Sequence, residues 1–173
     1  GWKFKTNSVF KVPNLEVFPF FKTKTIDHAY NIFSGEHNGV KIKLMDVEFY
    51  EGEFIAKEIH KHTVLLLSPQ KIIPKFRLDK ERLLDRLAGM AGFEDHNIEG
   101  YEDFSHRFKL QGKDVEAIKK FFNHELILFF ESHPYYHVES DGKNLLIFKG
   151  IRISTISEVK ALASYGKELV ETI

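Results

Sequence analysis

The chain has no cysteine. Disulfides, thiolate nucleophiles and zinc–thiolate sites are therefore excluded, and the absence fits a reducing compartment. No apolar run approaches the roughly 20 residues that a bilayer-spanning helix needs. The longest, Leu126 to Phe130, reads as part of a core helix. No secretory leader pattern opens the sequence; it begins at Gly1 without an initiator methionine and reads as an excised segment. Net charge is also missing. The 25 basic residues balance 25 acidic ones, which argues against general nucleic-acid binding, because that requires a basic footprint. No nucleophile elbow G-x-S-x-G, phosphate loop G-x-x-x-x-G-K-[ST] or dinucleotide fingerprint G-x-G-x-x-G occurs.

What remains is the composition of a folded domain. The 173 residues are 43% hydrophobic and 29% charged, enough for one domain with a substantial core. Seventeen phenylalanines point to a Phe-packed interior. The densest apolar material runs from His106 to Lys149 and reads as strand, helix, helix, hairpin. Phe104, Phe108 and Leu110 bracket a short strand ending at Gly112. Asp114 and Asn123 stand as N-caps before two runs at helical spacing, Val115–Phe122 and Leu126–Phe130, together a kinked helix over 114–132. Pro134 places His133 outside that helix. Asp141-Gly142 then predicts a two-residue hairpin turn. In the strand that follows, Leu145 and Ile147 on one face and Leu146 and Phe148 on the other predict a central strand covered on both sides.

Elsewhere the pattern is β-rich from Ile26 to Pro69, a three-strand meander with hairpin signals at Asn38-Gly39 and a turn at 51–53. The middle strand changes phase: Val40, Ile42 and Leu44 share one face, and Met45, Val47 and Phe49 the other. Either a bulge lies near Leu44-Met45 or both faces are partly covered. Asp79 is expected to cap a helix over 79–91, and Thr155 with Glu158 forms a capping box for a helix over 156–172. Strands followed by helices, without regular alternation, predict an α+β class: a mainly antiparallel sheet with about three helices packed against it. The chain divides into residues 1–25, an N-terminal strap or juxtamembrane segment, and a single α+β domain over 26–173. The first segment carries five lysines against one glutamate among aromatic residues. That pattern suits a strap that plugs its rings into the core, or contact with anionic lipid through residues 1–24.

Candidate chemistry is sparse. His60 and His62 share a strand face, with Glu58 on the same face, and are the weak candidates for a metal site. His133 and His137 bracket the hairpin entry. Glu94, Asp95, Glu99, Glu102 and Asp103 make an acidic loop without the spacing of an EF-hand. Ser105-His106, as strand neighbours, would point to opposite faces and form no dyad. No catalytic or cofactor-binding residue stands out, and no cofactor is expected.

Several stretches resemble a widespread bacterial family of unknown function, whose members carry one or more transmembrane helices ahead of a soluble domain. They are VFPFF (Val17–Phe21), FSGEHNGVKIKLMDVEFY, HTVLLLSP, FRLDKERLLDRL, FSHRFKLQGKDVEAIKKFFNHELILFFESHP and HVESDGKNLLIF, within residues 17–170. The resemblance brings no substrate, cofactor or active-site residue. It implies a domain at the cytoplasmic face of the membrane; with the missing enzyme signatures and the balanced charge, the expected role is non-catalytic binding or assembly through a protein partner or self-association, without nucleic acid. The alternatives are a metal-dependent or small-molecule enzyme using the histidine-rich face, and anionic-lipid binding through the basic, aromatic N-terminus.

Overall fold

The structure, a computed structural model, describes residues 3–8, 14–51, 58–80, 94–150 and 152–173. Nine strands form one antiparallel sheet: β1 (Lys3–Ser8), β2 (Thr25–His37), β3 (Val40–Glu51), β4 (Glu58–Ser68), β5 (Phe76–Asp79), β6 (Glu94–His96), β7 (Lys109–Gly112), β8 (His137–Ser140) and β9 (Leu145–Phe148). Their spatial order is β1-β2-β3-β4-β9-β8-β5-β7-β6. Among the described residues four helices accompany them: α1 (Glu102–Arg107), α2 (Val115–Phe121), α3 (His124–Ser132) and α4 (Ile156–Thr172). Two 3-10 turns, Leu15–Val17 and Pro19–Phe21, form the strap. The chain is thus α+β with an antiparallel sheet. The helix expected over 79–91 lies outside the described residues beyond Lys80, as do the Gly52 turn and residues 54–57 of the third expected strand.

Local chemistry sets most of these boundaries. Asp114 Oδ1 accepts from the Ala117 amide at 3.0 Å, and Asn123 Oδ1 from the Leu126 amide at 2.9 Å, so each helix start is capped. Thr155 and Glu158 make the reciprocal capping box. Pro134 ends α3, with His133 in extended backbone. Asn38 and Gly39 both take positive φ, 48° and 77°, as a type I′ hairpin turn requires.

Two expectations are corrected. Asp141-Gly142 is not a two-residue turn. Ser140 pairs with Leu145, and the Asp141 carboxylate instead gathers the Lys143 and Asn144 amides, each at 2.7 Å, into a wider loop. Phe104 lies in α1 and not in a strand, and Ser105 and His106 lie in the same helix; β7 starts only at Lys109. Asp79 is the last residue of β5, and the helix it is expected to cap lies outside the described residues beyond Lys80. Its Oδ1 does accept the Lys80 amide at 2.7 Å, but the carboxylate is drawn into a charged cluster described below.

The phase change in β3 comes from coverage. Its pairing with β4 runs unbroken from Lys41–Ser68 to Glu51–Glu58. Register shifts fall instead in β2, between Ile26 and His28 and between Tyr30 and Phe33. Asn31, at the second shift, takes φ 51°, a conformation that asparagine tolerates better than most residues. Val40, Ile42 and Leu44 face a core shared with the helices. Met45, Val47 and Phe49 face a second core on the other side, closed by Leu15, Phe18, Phe20 and Phe21 of the strap. β9 belongs to both: Leu145 and Ile147 pack in the helix-side core, Leu146 and Phe148 in the strap-side core. On the helix side α4 lies so close to β4 that a Cβ added to Gly166 would sit 2.4 Å from Leu65 Cδ2.

Candidate functional site

On the strap side of the sheet, period-2 geometry places Arg77 and Asp79 of β5 beside Glu139 and His137 of β8. Arg77 pairs with Glu139 and Leu78 with Val138, so Leu78 and Val138 turn to the helix-side core while the four charged residues share the other face. None of the four is more than 1% exposed. Arg77 Nη2 donates to Asp79 Oδ2 at 2.8 Å, and Arg77 Nε lies 3.6 Å from Glu139 Oε1. His137 Nδ1 lies 3.1 Å from Asp79 Oδ2 and its Nε2 2.9 Å from Glu139 Oε1. The Tyr135 hydroxyl donates to Asp79 Oδ1. The strap completes the cluster: the Phe20 amide donates to Glu139 Oε2 at 2.9 Å.

This geometry fixes the protons. Ionised carboxylates only accept, so a ring hydrogen-bonded to two of them must donate from both nitrogens, which only imidazolium can do. Burial opposes that charge, but hydrogen bonds and charges from Asp79 and Glu139 outweigh it and raise His137 above its ordinary value. Burial would likewise raise Asp79; hydrogen bonds from His137 and Tyr135 and the charges of His137 and Arg77 hold it down at about 2. Burial, then the Asp79 charge, push the Tyr135 phenol up. The quartet is therefore two cations and two anions, neutral as a unit. Its histidine has no free lone pair for a general base, and its carboxylates are occupied.

His62 lies on the same face in the opposite state. It is 0% exposed, with Phe148 edge-on at 4.4 Å and Phe20 at 5.3 Å between ring centres. Among the described residues neither ring nitrogen has a hydrogen-bond partner of normal geometry. Burial, then the charges of His137 and Lys24, drive its pKa down to about 3; the Gly150 backbone pulls weakly the other way. Phe148 thus separates two buried histidines, His137 stacked on it at 4.3 Å and cationic, His62 neutral. Lys24 is also enclosed, its ammonium 4.4 Å above the Phe20 ring and 3.4 Å from Glu51 Oε1.

The sequence-predicted residues fall as follows. His60 and His62 share a face, but His60 Nε2 lies toward Glu58 and Glu51, at 3.5 and 3.8 Å, while His62 is sealed among rings. Among the described residues, three possible metal-ligand groups come within 4.8 Å of one another at Asp27, His28 and Glu48, a set containing neither. There Lys61 already pairs with Glu48 at 3.1 Å and the Tyr50 hydroxyl with Asp27 at 3.2 Å. His133 and His137 part company: His133 Nε2 lies 2.8 Å from Glu168 of α4. Asp95 of the acidic stretch pairs with Lys109 at 3.0 Å and accepts from Gln111 at 2.6 Å. Sequence reasoning missed the quartet. Its signal was available as two complementary couples at i,i+2, Arg77/Asp79 and His137/Glu139, each flanking an apolar residue.

An open groove of about 920 Å³ lies where β5 begins and β7 and β8 end. Val17 and Pro19 of the strap, Ile72 and Pro74 of the preceding loop and Phe121 of α2 give it apolar walls, and Lys22, Lys75, Lys113 and Lys120 line it as well. Ile72 is 91% exposed and Val17 48%.

No protein-family model matches the chain, and no curated protein matches it in sequence. Among solved structures, the chain is similar in fold to the mycobacterial trehalose monomycolate transport factor A, TtfA, with a TM-score of 0.64 at 11% identity over 99% of this chain and 88% of that one. The likeness agrees with the sequence resemblance at the level of an α+β fold. Among the described residues, no helix is long and apolar enough to cross a membrane.

Proposed function

We propose that this chain is a non-catalytic binding and assembly module of a membrane-tethered bacterial protein, working at the cytoplasmic face and acting through a protein partner or a second copy of itself. The observation that carries this reading is the state of the quartet. The densest set of ionisable groups in the described structure has its protons assigned, its lone pairs occupied and its access closed by Phe20 of the strap. A catalytic constellation needs a group free to accept or donate at a reachable position. Here the charges act as a fastener between strands β5, β8 and the strap. The fold it shares with a transport factor is compatible with this reading.

The test is a thermal-shift panel with Zn²⁺, Ca²⁺ and ATP, run beside light scattering across a concentration series. The expected outcome is no ligand shift, with mass rising with concentration or on addition of the membrane partner. A Zn²⁺ stabilisation abolished by His60→Ala with His62→Ala would overturn the proposal in favour of a metal-dependent enzyme, since a ligand that binds only the folded state raises its apparent stability.

A further inference from the structure

We infer that the groove between the strap, the 72–75 loop and α2 is a binding site for a single-chain anionic amphiphile: an acyl chain carrying a carboxylate. The inference goes beyond a protein-binding role and does not need a protein partner. Its volume, about 920 Å³, falls within the roughly 300–1,000 Å³ of small-molecule sites. The walls divide by chemistry. Val17, Pro19, Ile72, Pro74 and Phe121 offer apolar surface, and Ile72 stands almost wholly in solvent, in a molecule that buries most of its large aliphatic side chains. Adjoining exposed apolar side chains in a concave setting mark a binding surface more often than scattered ones do.

The charges favour an anion. Lys22, Lys75, Lys113 and Lys120 come from the strap, the loop, the turn before α2 and α2 itself, and no ion pair or hydrogen bond engages their ammonium groups among the described residues. Of the three carboxylates lining the groove, two already serve local turns: Asp114 caps α2, and Asp141 holds the Lys143 and Asn144 amides. Glu16 is the third. Four ammonium groups thus stand against three carboxylates around an apolar floor, and of the three only Glu16 is without a local hydrogen bond. A chain lying on Val17, Ile72 and Phe121 with its carboxylate among the lysines would satisfy both. An uncharged amphiphile would satisfy only the floor, and a small anion only the rim.

The experiment is a titration of laurate, below its micelle concentration, into ¹³C-methyl-labelled protein, with dodecyl maltoside and acetate as probes that keep only the chain or only the charge. Saturable shifts confined to the Val17, Ile72 and Ile73 methyls are expected with laurate, much weaker ones with dodecyl maltoside, and none with acetate. Lys113→Gln with Lys120→Gln should weaken laurate about tenfold, and Ile72→Asp, at a site too exposed to support the fold, should abolish it. Absent shifts, shifts scattered over other methyls, or equal response to laurate and dodecyl maltoside with no effect of the lysine substitutions would overturn the assignment. The laurate resonances report separately on the previous section: chemical conversion of bound laurate would defeat the non-catalytic reading while leaving the groove occupied as proposed.

Discussion

Val138 of β8 turns into the helix-side core, and its neighbours His137 and Glu139 turn into the strap-side core; all three are at most 1% exposed. The same strand therefore buries hydrocarbon on one face and full charges on the other. On the helix side, closure comes from volume: Phe104, Phe122 and Phe130 pack at ring-centre distances near 6 Å with no polar group to satisfy. On the strap side, closure comes from matching: two cations and two anions are tolerable only because each meets its opposite. The lesson is that the helix side should fail in proportion to lost or added volume, largely independent of pH, whereas the strap side should fail through unbalanced charge and in a pH-dependent way.

The largest effect should follow from unbalancing the quartet. Arg77→Leu leaves Asp79 and Glu139 buried with one cation between them and should cost about 3–5 kcal/mol in urea denaturation. A loss below about 1 kcal/mol would mean that the face is not sealed.

The second prediction separates the two histidines by pH. His62 is held at about 3 against its ordinary 6.5. As pH falls below 6.5 the unfolded chain takes the proton first, so the stability contributed by neutral His62 is complete above that value and declines below it, by about 1.4 kcal/mol per pH unit, or about 2 kcal/mol at pH 5. His62→Leu should flatten this acid limb. His137 has the opposite sign: its pKa is raised, so its contribution is complete below 6.5 and is lost as pH rises through the folded value. His137→Gln should remove that limb, leaving only the loss above about pH 10 that the buried Tyr135 and Tyr165 phenols bring. Asp79, held at about 2 against 3.8, adds a further loss only as the solution becomes strongly acidic. Parallel pH–stability curves for wild type and both variants would refute the assignment of opposite protonation states.

A volume change on the other face should be smaller and insensitive to pH. Gly166→Ala places a methyl 2.4 Å from Leu65 Cδ2 and should cost about 1–3 kcal/mol from overpacking, with the same loss at pH 5 and pH 8. The smallest effect belongs to the exposed end of α4, where Thr155→Ala removes the cap and should cost about 1 kcal/mol.

The legible parts of this fold are the local ones. Asp114, Asn123 and Thr155 announce helix starts because capping is settled within four residues, and Asn38-Gly39 fixes its turn by backbone conformation alone. The β9 pattern was readable because apolar residues on both faces require two covers. The quartet was not readable: in sequence, Arg77 and Asp79 look like the solvated face of a strand, and only pairing with a strand 60 residues away buries them. The same holds for the groove, whose walls meet only through tertiary contacts among strap, loop and α2. Asp141-Gly142 failed for a different reason, since the aspartate side chain competes with the backbone for the turn's amides and widens it.

The bond from the Phe20 amide to Glu139 joins residues 119 positions apart. During synthesis Phe20 leaves the ribosome long before Glu139 exists. The emerging chain therefore carries Phe18, Phe20 and Phe21 with only the β3 and β4 part of their cover until β8 and β9 have been made, so this segment is fully seated only late in synthesis. For that interval three incompletely covered aromatic rings lie next to Lys22 and Lys24, and exposed apolar surface of this kind is prone to aggregate.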